Sequence, residues 1–496
     1  MAAAERPLKR ALAVVLAALG LLAAIVALRA LLAPLGRPDA AAAQPDGYTV
    51  DEQAVAARLA GSLRFQTISF EDRAKLDPQA FAGLRAYLAE TWPRVHAALA
   101  PETIAGHSLL YTWQGRDAQA PASLLAAHMD VVPVPSPEQW QHPPFEGVVA
   151  EGEVWGRGAL DDKGSLVCIL DAAESLLAEG FAPERTIYFA FGHDEEVGGE
   201  AGAKVIAATL AARGVRLDSV LDEGGAVADG FGGLLERPLA AVGVAEKGWV
   251  DVRLRASAQG GHSSAPPRQT AVGILAAALV ALEAQPMPAR VGGIFEGMIG
   301  RMAPEASFSR RLALANFWLL RPILPLYSPR MPILDAMIRT TTAPTIVRGG
   351  VKSNVLPREA EAIVNFRVLP GDTVEGVLAH VRRAVDDERV AVEIDVPEAA
   401  EEASPVSPDD GPAFGGIARA VGAVYPDAVV APYLVIGGTD AKHYTPLGDA
   451  IYRLLPFRIG DDALRLAHGV DERISVANLG RGVRFYRQWM RQPLAQ

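Results

Sequence analysis

The chain has 496 residues, of which 50% are hydrophobic and 21% charged, with a single cysteine and a formal net charge of −11. That length exceeds one ordinary core and predicts two or more domains, while the composition is globular rather than disordered. The acidic balance, with no basic stripe, argues against a nucleic-acid partner, and the lone Cys168 excludes an intramolecular disulfide and reads as a small core residue.

Arg6, Lys9 and Arg10 precede an unbroken apolar run from Ala11 to Leu28. Its length, about 18 residues, is near what a bilayer-spanning helix needs. Arg29 can snorkel, so that Ala30 to Leu35 extend the span. The h-region of a cleaved signal is shorter, about 7–15 residues, although Ala40 to Gln44 offers a cleavage stretch and leaves secretion as the alternative. Residues 1–37 therefore read as a short N-terminal stub and membrane anchor, and residues 38–47 as a linker. The basic flank places the N-terminus in the cytoplasm and the rest of the chain on the non-cytoplasmic side, whether periplasmic, extracellular or lumenal.

Val50 to Leu63 and Pro78 to Leu99 have helical spacing of apolar residues. Leu109 to Trp113 and Ser123 to Ala127 read as strands. Asp162 to Ala178 reads as a helix with Leu166, Ile169, Leu170, Ala173, Leu176 and Leu177 on one face, stopped near Gly180. Thr186 to Phe191 and Ser219 to Leu221 read as buried strands around a helix from Ala201 to Arg213. Strands alternating with helices predict an α/β fold with a mostly parallel sheet covered on both faces. At Trp249 the pattern changes to strict alternation, followed by a helix from Thr270 to Glu283 and strands at Thr342 to Val347 and Glu361 to Val368. This is the signature of a smaller α+β lid domain, 248–368, interrupting a catalytic domain formed by 48–247 and 369–496. Within the lid, Val291 to Arg339 is apolar and broken by prolines, and its part around Phe317 to Tyr327 suits an acyl channel, a membrane contact or ordinary packing.

Chemistry-bearing residues cluster at the ends of the apolar runs, where open α/β sheets build active sites. They are His128 and Asp130 in LLAAHMD, Asp161 in GRGALDDKG, Glu195 and Glu196 in FGHDEEVGG, Asp222 in VLDEGG, and His468 in LAHGVDERIS. Two imidazoles and several carboxylates form a mixed N/O ligand set suited to zinc. His128 and Asp130, two apart on a strand end, share a face, so Asp130 can ligate or hold the His128 ring in the right tautomer. Asp161 follows a glycine-rich turn, where an N-cap is the plain alternative. The adjacent Glu195 and Glu196 can divide metal binding from proton transfer. Gly437, Gly438 and Thr439 form a tight loop whose backbone N–H groups can meet a carboxylate.

Taken together, FGHDEEVGG, LDEGG, EKGW, GHSSAPP, RTTTAPTI, VNFRVLPGDTV and HGVDERIS resemble the co-catalytic zinc hydrolase family that contains aminoacylase and vacuolar carboxypeptidase S. The resemblance implies two zinc ions. One is held by His128, Asp161 and Asp222 and the other by Asp161, Glu196 and His468, with Asp161 bridging. It implies Glu195 as general base, Asp130 as the orienter of His128, and a cis peptide after Asp161. It implies that His262 stabilises the oxyanion, from its own subunit or from the other half of a homodimer. It also implies that Asn354 and Arg367 contact substrate, Arg367 pairing with a free α-carboxylate. Lys442 stands where many relatives carry Arg.

The resulting expectation is a di-zinc hydrolase cleaving the amide of an N-acyl amino acid next to its free carboxylate, in a reversible reaction. A carboxypeptidase or dipeptidase using the same machinery is the alternative. A non-catalytic metal-stabilised binding module is the rival outside enzymes, and the retention of Glu195 speaks against it.

Overall fold

Continuous apolar runs become the buried strands of a central sheet. Ala122–His128 is buried at every position, as expected of a parallel strand covered on both faces. In the computed structural model, which describes residues 2–33, 46–230, 232–460 and 463–492, this strand pairs in parallel with Ile187–Gly192 on one side and Leu217–Asp222 on the other. Of the linker expected over residues 38–47, residues 38–45 lie outside the described residues. The ten-stranded sheet continues through Ile451–Arg453 to Leu239–Glu246, which also pairs in parallel with Val429–Val435. Antiparallel pairs lie toward the two ends, at Glu102–Ile104 with Ser108–Trp113 and at Ala226–Ala228 with Leu239–Glu246.

The helix Lys163–Ala178 covers one face, its predicted apolar stripe buried apart from the half-buried Leu177, and Cys168 is wholly enclosed. The last helix, Val476–Met490, packs beside it and is capped by the Ser475 side chain, which accepts from the Asn478 amide. The single helix expected over Pro78 to Leu99 is two, Pro78–Thr91 and Pro93–Leu99. Pro93 has no N–H to donate and forces Trp92 out of helical geometry, to φ −120° and ψ 68°.

The smaller unit is a four-stranded antiparallel sheet in the order Thr341–Gly349, Glu359–Val368, Gly248–Ser257, Val390–Ile394. Gly248–Ser257 alternates buried and half-buried positions, the one-sided pattern its sequence predicts. Helices Ala271–Ala284 and Val374–Val385 share its core. The expected boundary at residue 368 is therefore too early, because that helix and the strand Val390–Ile394 complete the small core.

The proline-broken stretch also departs from expectation. It forms short helices, Ile294–Met302, Phe308–Leu314, Phe317–Leu320, Leu324–Tyr327 and Pro332–Ile338. Their buried side chains join Leu239, Ala241, Val429 and Ala431 of the large sheet, not the lid core.

At the N-terminus, Ala2–Leu32 is one helix. Its segment Arg10–Leu32 is 23 residues long with mean hydropathy 2.9, enough by length and composition to cross a membrane.

Candidate metal centre

Three strand ends and two loops bring the acids and imidazoles together. His128 Nε2 lies 2.9 Å from Asp161 Oδ1 and 3.4 Å from Glu223 Oε1. His468 Nε2 lies 3.1 Å from Asp161 Oδ2 and 3.0 Å from Glu196 Oε2. Two groups that could each hold a metal ion result, His128–Asp161–Glu223 and Asp161–Glu196–His468, and Asp161 belongs to both. A tetrahedral ion with bonds of about 2.0–2.1 Å requires donors roughly 3.3 Å apart, close to these separations. Glu196 Oε1 is buried without a hydrogen-bond partner among the described residues. The donor set and spacing fit two divalent cations sharing one carboxylate.

The structure places Glu223, not Asp222, against His128. Asp222 ends the strand Leu217–Asp222, and neighbours on a strand point to opposite faces. Its carbonyl accepts from the Leu454 amide, and its Oδ2 is buried with no partner. Burial pushes the Asp222 carboxyl up to about 6. Glu223, one residue on, turns to the opposite side and reaches His128 with its longer arm.

Asp130 is wholly buried and organises the turn around it. Its carboxylate accepts from the Ser69 hydroxyl at 2.6 Å and from the Glu195 and Glu196 amides at 3.2 and 3.1 Å. Burial opposes its charge, but the His128 ring and these donors outweigh it and hold Asp130 below the usual carboxylate range. His128 Nδ1 lies 3.0 Å from the Asp130 carbonyl and 3.5 Å from its carboxylate, so Nδ1 is the protonated nitrogen and Nε2 faces the cluster. Burial alone would lower His128, yet Glu223, Asp130 and Asp161 together raise it well above the ordinary value. Hydrogen bonds to Asp161 and Glu196 raise His468 to about 10. Burial, and then the charges of Glu223, Asp440 and Glu196, holds Glu195 well above the usual carboxylate range. Metal ligands must be deprotonated, so metal binding at these groups would release protons.

Glu472, in the same HGVDERIS motif as His468, supports the centre in a way sequence reading missed. Its buried carboxylate accepts from the amides of Gly158, Leu160 and Asp161 and from Arg157 Nη1 at 2.6 Å. Arg157 Nη2 in turn donates to the His468 and Gly469 carbonyls, each at 3.0 Å. This pair ties the distant His468 loop to the turn that presents Asp161, whose peptide bond to Asp162 is cis. Glu472→Gln is expected to destabilise the fold by about 3–5 kcal/mol, since it leaves Arg157 buried without a counter-charge. Urea denaturation measures this, and an unchanged midpoint would remove the coupling role.

The predicted substrate residues fare differently. His262 is exposed; its Nδ1 bonds the Ser264 hydroxyl at 2.8 Å, and it makes no hydrogen bond to the cluster. Asn354 is also exposed and its carbonyl accepts from the Ser263 amide, so both residues sit on one ribbon, Gly261–His262 paired with Val355–Leu356. Arg367 lies 3.9 Å above the Trp249 ring and forms no ion pair among the described residues. Thr439 cannot offer its N–H as expected: its amide and hydroxyl both donate to Glu246 Oε2, at 3.0 and 2.9 Å, which Arg453 Nε also meets at 3.0 Å. Gly437 and Gly438 have open space around their α-carbons. Lys442 is spent on Glu401 at 2.8 Å. Gly199, at φ +71°, is needed for room: a Cβ there would stand 2.1 Å from the buried Asp440 carboxylate.

The model of "Peptidase family M20/M25/M40" matches residues 124–492 of this sequence. The chain belongs to that family. It is 40% identical over 446 residues to "Probable carboxypeptidase S-like 2" of Dictyostelium discoideum, covering 88% of this chain and 85% of that protein. It is 39% identical over 448 residues to "N-fatty-acyl-amino acid synthase/hydrolase PM20D1" of Mus musculus, covering 89% and 88%. Among solved structures it resembles the M20 family metallo-carboxypeptidase Sso-CP2 from Sulfolobus solfataricus, with TM-score 0.63, 19% identity and coverage of 89% and 99%. As a member of the M20 family the chain is a metallohydrolase, and its fold and ligand geometry agree with that class.

Proposed function

We propose that this M20 enzyme is a di-zinc hydrolase that cleaves the amide of N-acyl amino acids beside their free carboxylate. The observation that carries the reading is Asp161 shared between two ligand groups, with Glu195 on the turn that also supplies Glu196. Zinc suits the imidazole and carboxylate donors of His128, Asp161, Glu223, Glu196 and His468. When bound, the two ions supply Lewis acidity toward the amide carbonyl and the attacking water. Glu195 takes the proton from that water and delivers it to the leaving amine nitrogen. Its raised proton affinity suits the second half of that task. Asp130 fixes the His128 tautomer and the Glu195 turn. Run in reverse at high product, the same groups condense an acid with an amino acid.

Arg367, stacked on Trp249 and free of an ion pair, supports recognition of a free carboxylate. Asn354 and the Gly437 and Gly438 amides complete the substrate contacts, and His262 serves the oxyanion. His262 reaches the cluster by movement of the lid or in a homodimer. The lid's outer strand Thr341–Gly349, with Ile346 and Val347 exposed, favours the dimer. The N-terminal helix acts as an anchor, with the catalytic part on the non-cytoplasmic side.

The relatives' names divide between carboxypeptidases and N-acyl amino acid hydrolases. The ligand set serves both, so the acyl group decides. Turnover of N-oleoyl-phenylalanine by the zinc-loaded protein is expected to exceed that of a Gly-Phe dipeptide. Equal or faster dipeptide cleavage would make it a peptidase.

A further inference from the structure

We infer that the short-helix insert, residues 294–338, seats against a lipid bilayer beside the N-terminal helix and forms a second membrane contact. This rests on reading that helix as a retained anchor and goes beyond it. Phe308, Trp318, Ile323, Leu326, Tyr327 and Met331 are all exposed, Leu326 to 71%. Large apolar side chains gathered on one segment mark a contact surface rather than ordinary exterior.

The occupant follows from what the insert already touches. Asn316, itself buried, donates from Nδ2 to the Val26 carbonyl at 2.9 Å, and Arg29 Nε donates to the Ala315 carbonyl at 3.2 Å. Ala30 is fully buried at this junction. Counted from Arg10 at 1.5 Å per residue, Val26 stands about 24 Å and Arg29 about 28 Å along the helix axis. A hydrocarbon core is about 30 Å thick. The insert therefore grips the helix at and just inside the far edge of the hydrocarbon, the depth of roughly 5–10 Å typical of interfacial segments. Trp318 and Tyr327 are the side chains favoured at that level. Arg330 lies 5.9 Å from the Tyr327 ring, a cation placed for lipid phosphate. Pro322, Pro325, Pro329 and Pro332 keep the helices short, so the segment lies along a surface and does not cross it. Its other side packs on Leu239 and Ala241, in the strand that ends at Glu246, the residue holding Thr439.

The test uses the full chain in vesicles of phosphatidylcholine and phosphatidylglycerol. An environment-sensitive fluorophore is attached at Leu326→Cys and, separately, at Val351→Cys, which is 98% exposed on the lid. Cys168 is buried and leaves labelling specific. The Leu326 site is expected to emit at shorter wavelength and to be quenched several-fold more by spin-labelled lipid than the Val351 site. Water-like emission at Leu326 overturns the inference. So does emission that is shielded yet unaffected by quencher lipid, because a protein surface would then cover the patch. N-terminal sequencing of the vesicle-bound chain reads retention of the anchor separately: loss of the helix overturns the reading on which the inference rests, and with the helix intact the Leu326 emission decides the insert.

Discussion

Glu195→Gln is expected to leave the metal content of the protein unchanged and to lower turnover by about 10²–10⁴-fold, the usual worth of a positioned proton-transfer group. The separation of the two readouts follows from the geometry. Neither ligand group contains Glu195, and its anchor to the site is the backbone amide bonded to Asp130 Oδ1, which the substitution does not touch. Gln matches Glu in shape but can neither take nor deliver the proton. Metal analysis and kcat on an N-acyl amino acid check both halves. Turnover that survives with metal bound would mean that another group moves the proton. Loss of metal would mean that Glu195 is a ligand.

The second large effect separates two neighbouring acids. Glu223→Gln is expected to release one of the two bound ions and to lower activity by more than the roughly 10–100-fold that loss of a ligand's supporting partner costs. Asp222→Asn is expected to keep both ions and activity of the same order. Glu223 Oε1 faces His128 Nε2 at 3.4 Å, whereas Asp222 belongs to neither ligand group. An amide of the same shape in place of Asp222 therefore leaves both sets of donors intact. Metal stoichiometry of the two purified variants decides the matter, and the reverse pattern would return Asp222 to the ligand set.

That pair of residues also marks where reading the sequence stopped. Apolar runs ending in His128, Glu195 and Glu196 announced the strand ends, because a strand buried on both faces can carry polar groups only where it leaves the sheet. The motif LDEGG announced an acid at the third such end but not which one. The choice depends on the parallel register of Leu125 with Leu221, which fixes the side chain turned toward His128, and a one-residue shift would exchange the two. Thr439 shows the same limit: GGT reads as a loop with free amides, yet the buried Glu246 and Arg453, far away in sequence, occupy the Thr439 N–H.

The lid boundary failed for a related reason. Local alternation identified Gly248–Ser257 and Glu359–Val368, but the helix Val374–Val385 and the strand Val390–Ile394 join the small core only through contacts between elements. The proline-broken insert, read as lid, packs on the large sheet because its buried residues match the strands Leu239–Glu246 and Val429–Val435.

By itself the sequence determined the α/β class, the apolar N-terminal helix and most of the acids and imidazoles that the structure draws together, His128, Asp161, Glu196 and His468. These follow from periodicity, composition and donor chemistry, which are local properties. Only the tertiary structure decided that Glu223 and not Asp222 lies against His128, that Glu472 and Arg157 tie the His468 loop to the Asp161 turn, and which core the insert joins. Those outcomes depend on strand register and on buried polar groups finding partners hundreds of residues away, and no local pattern encodes them.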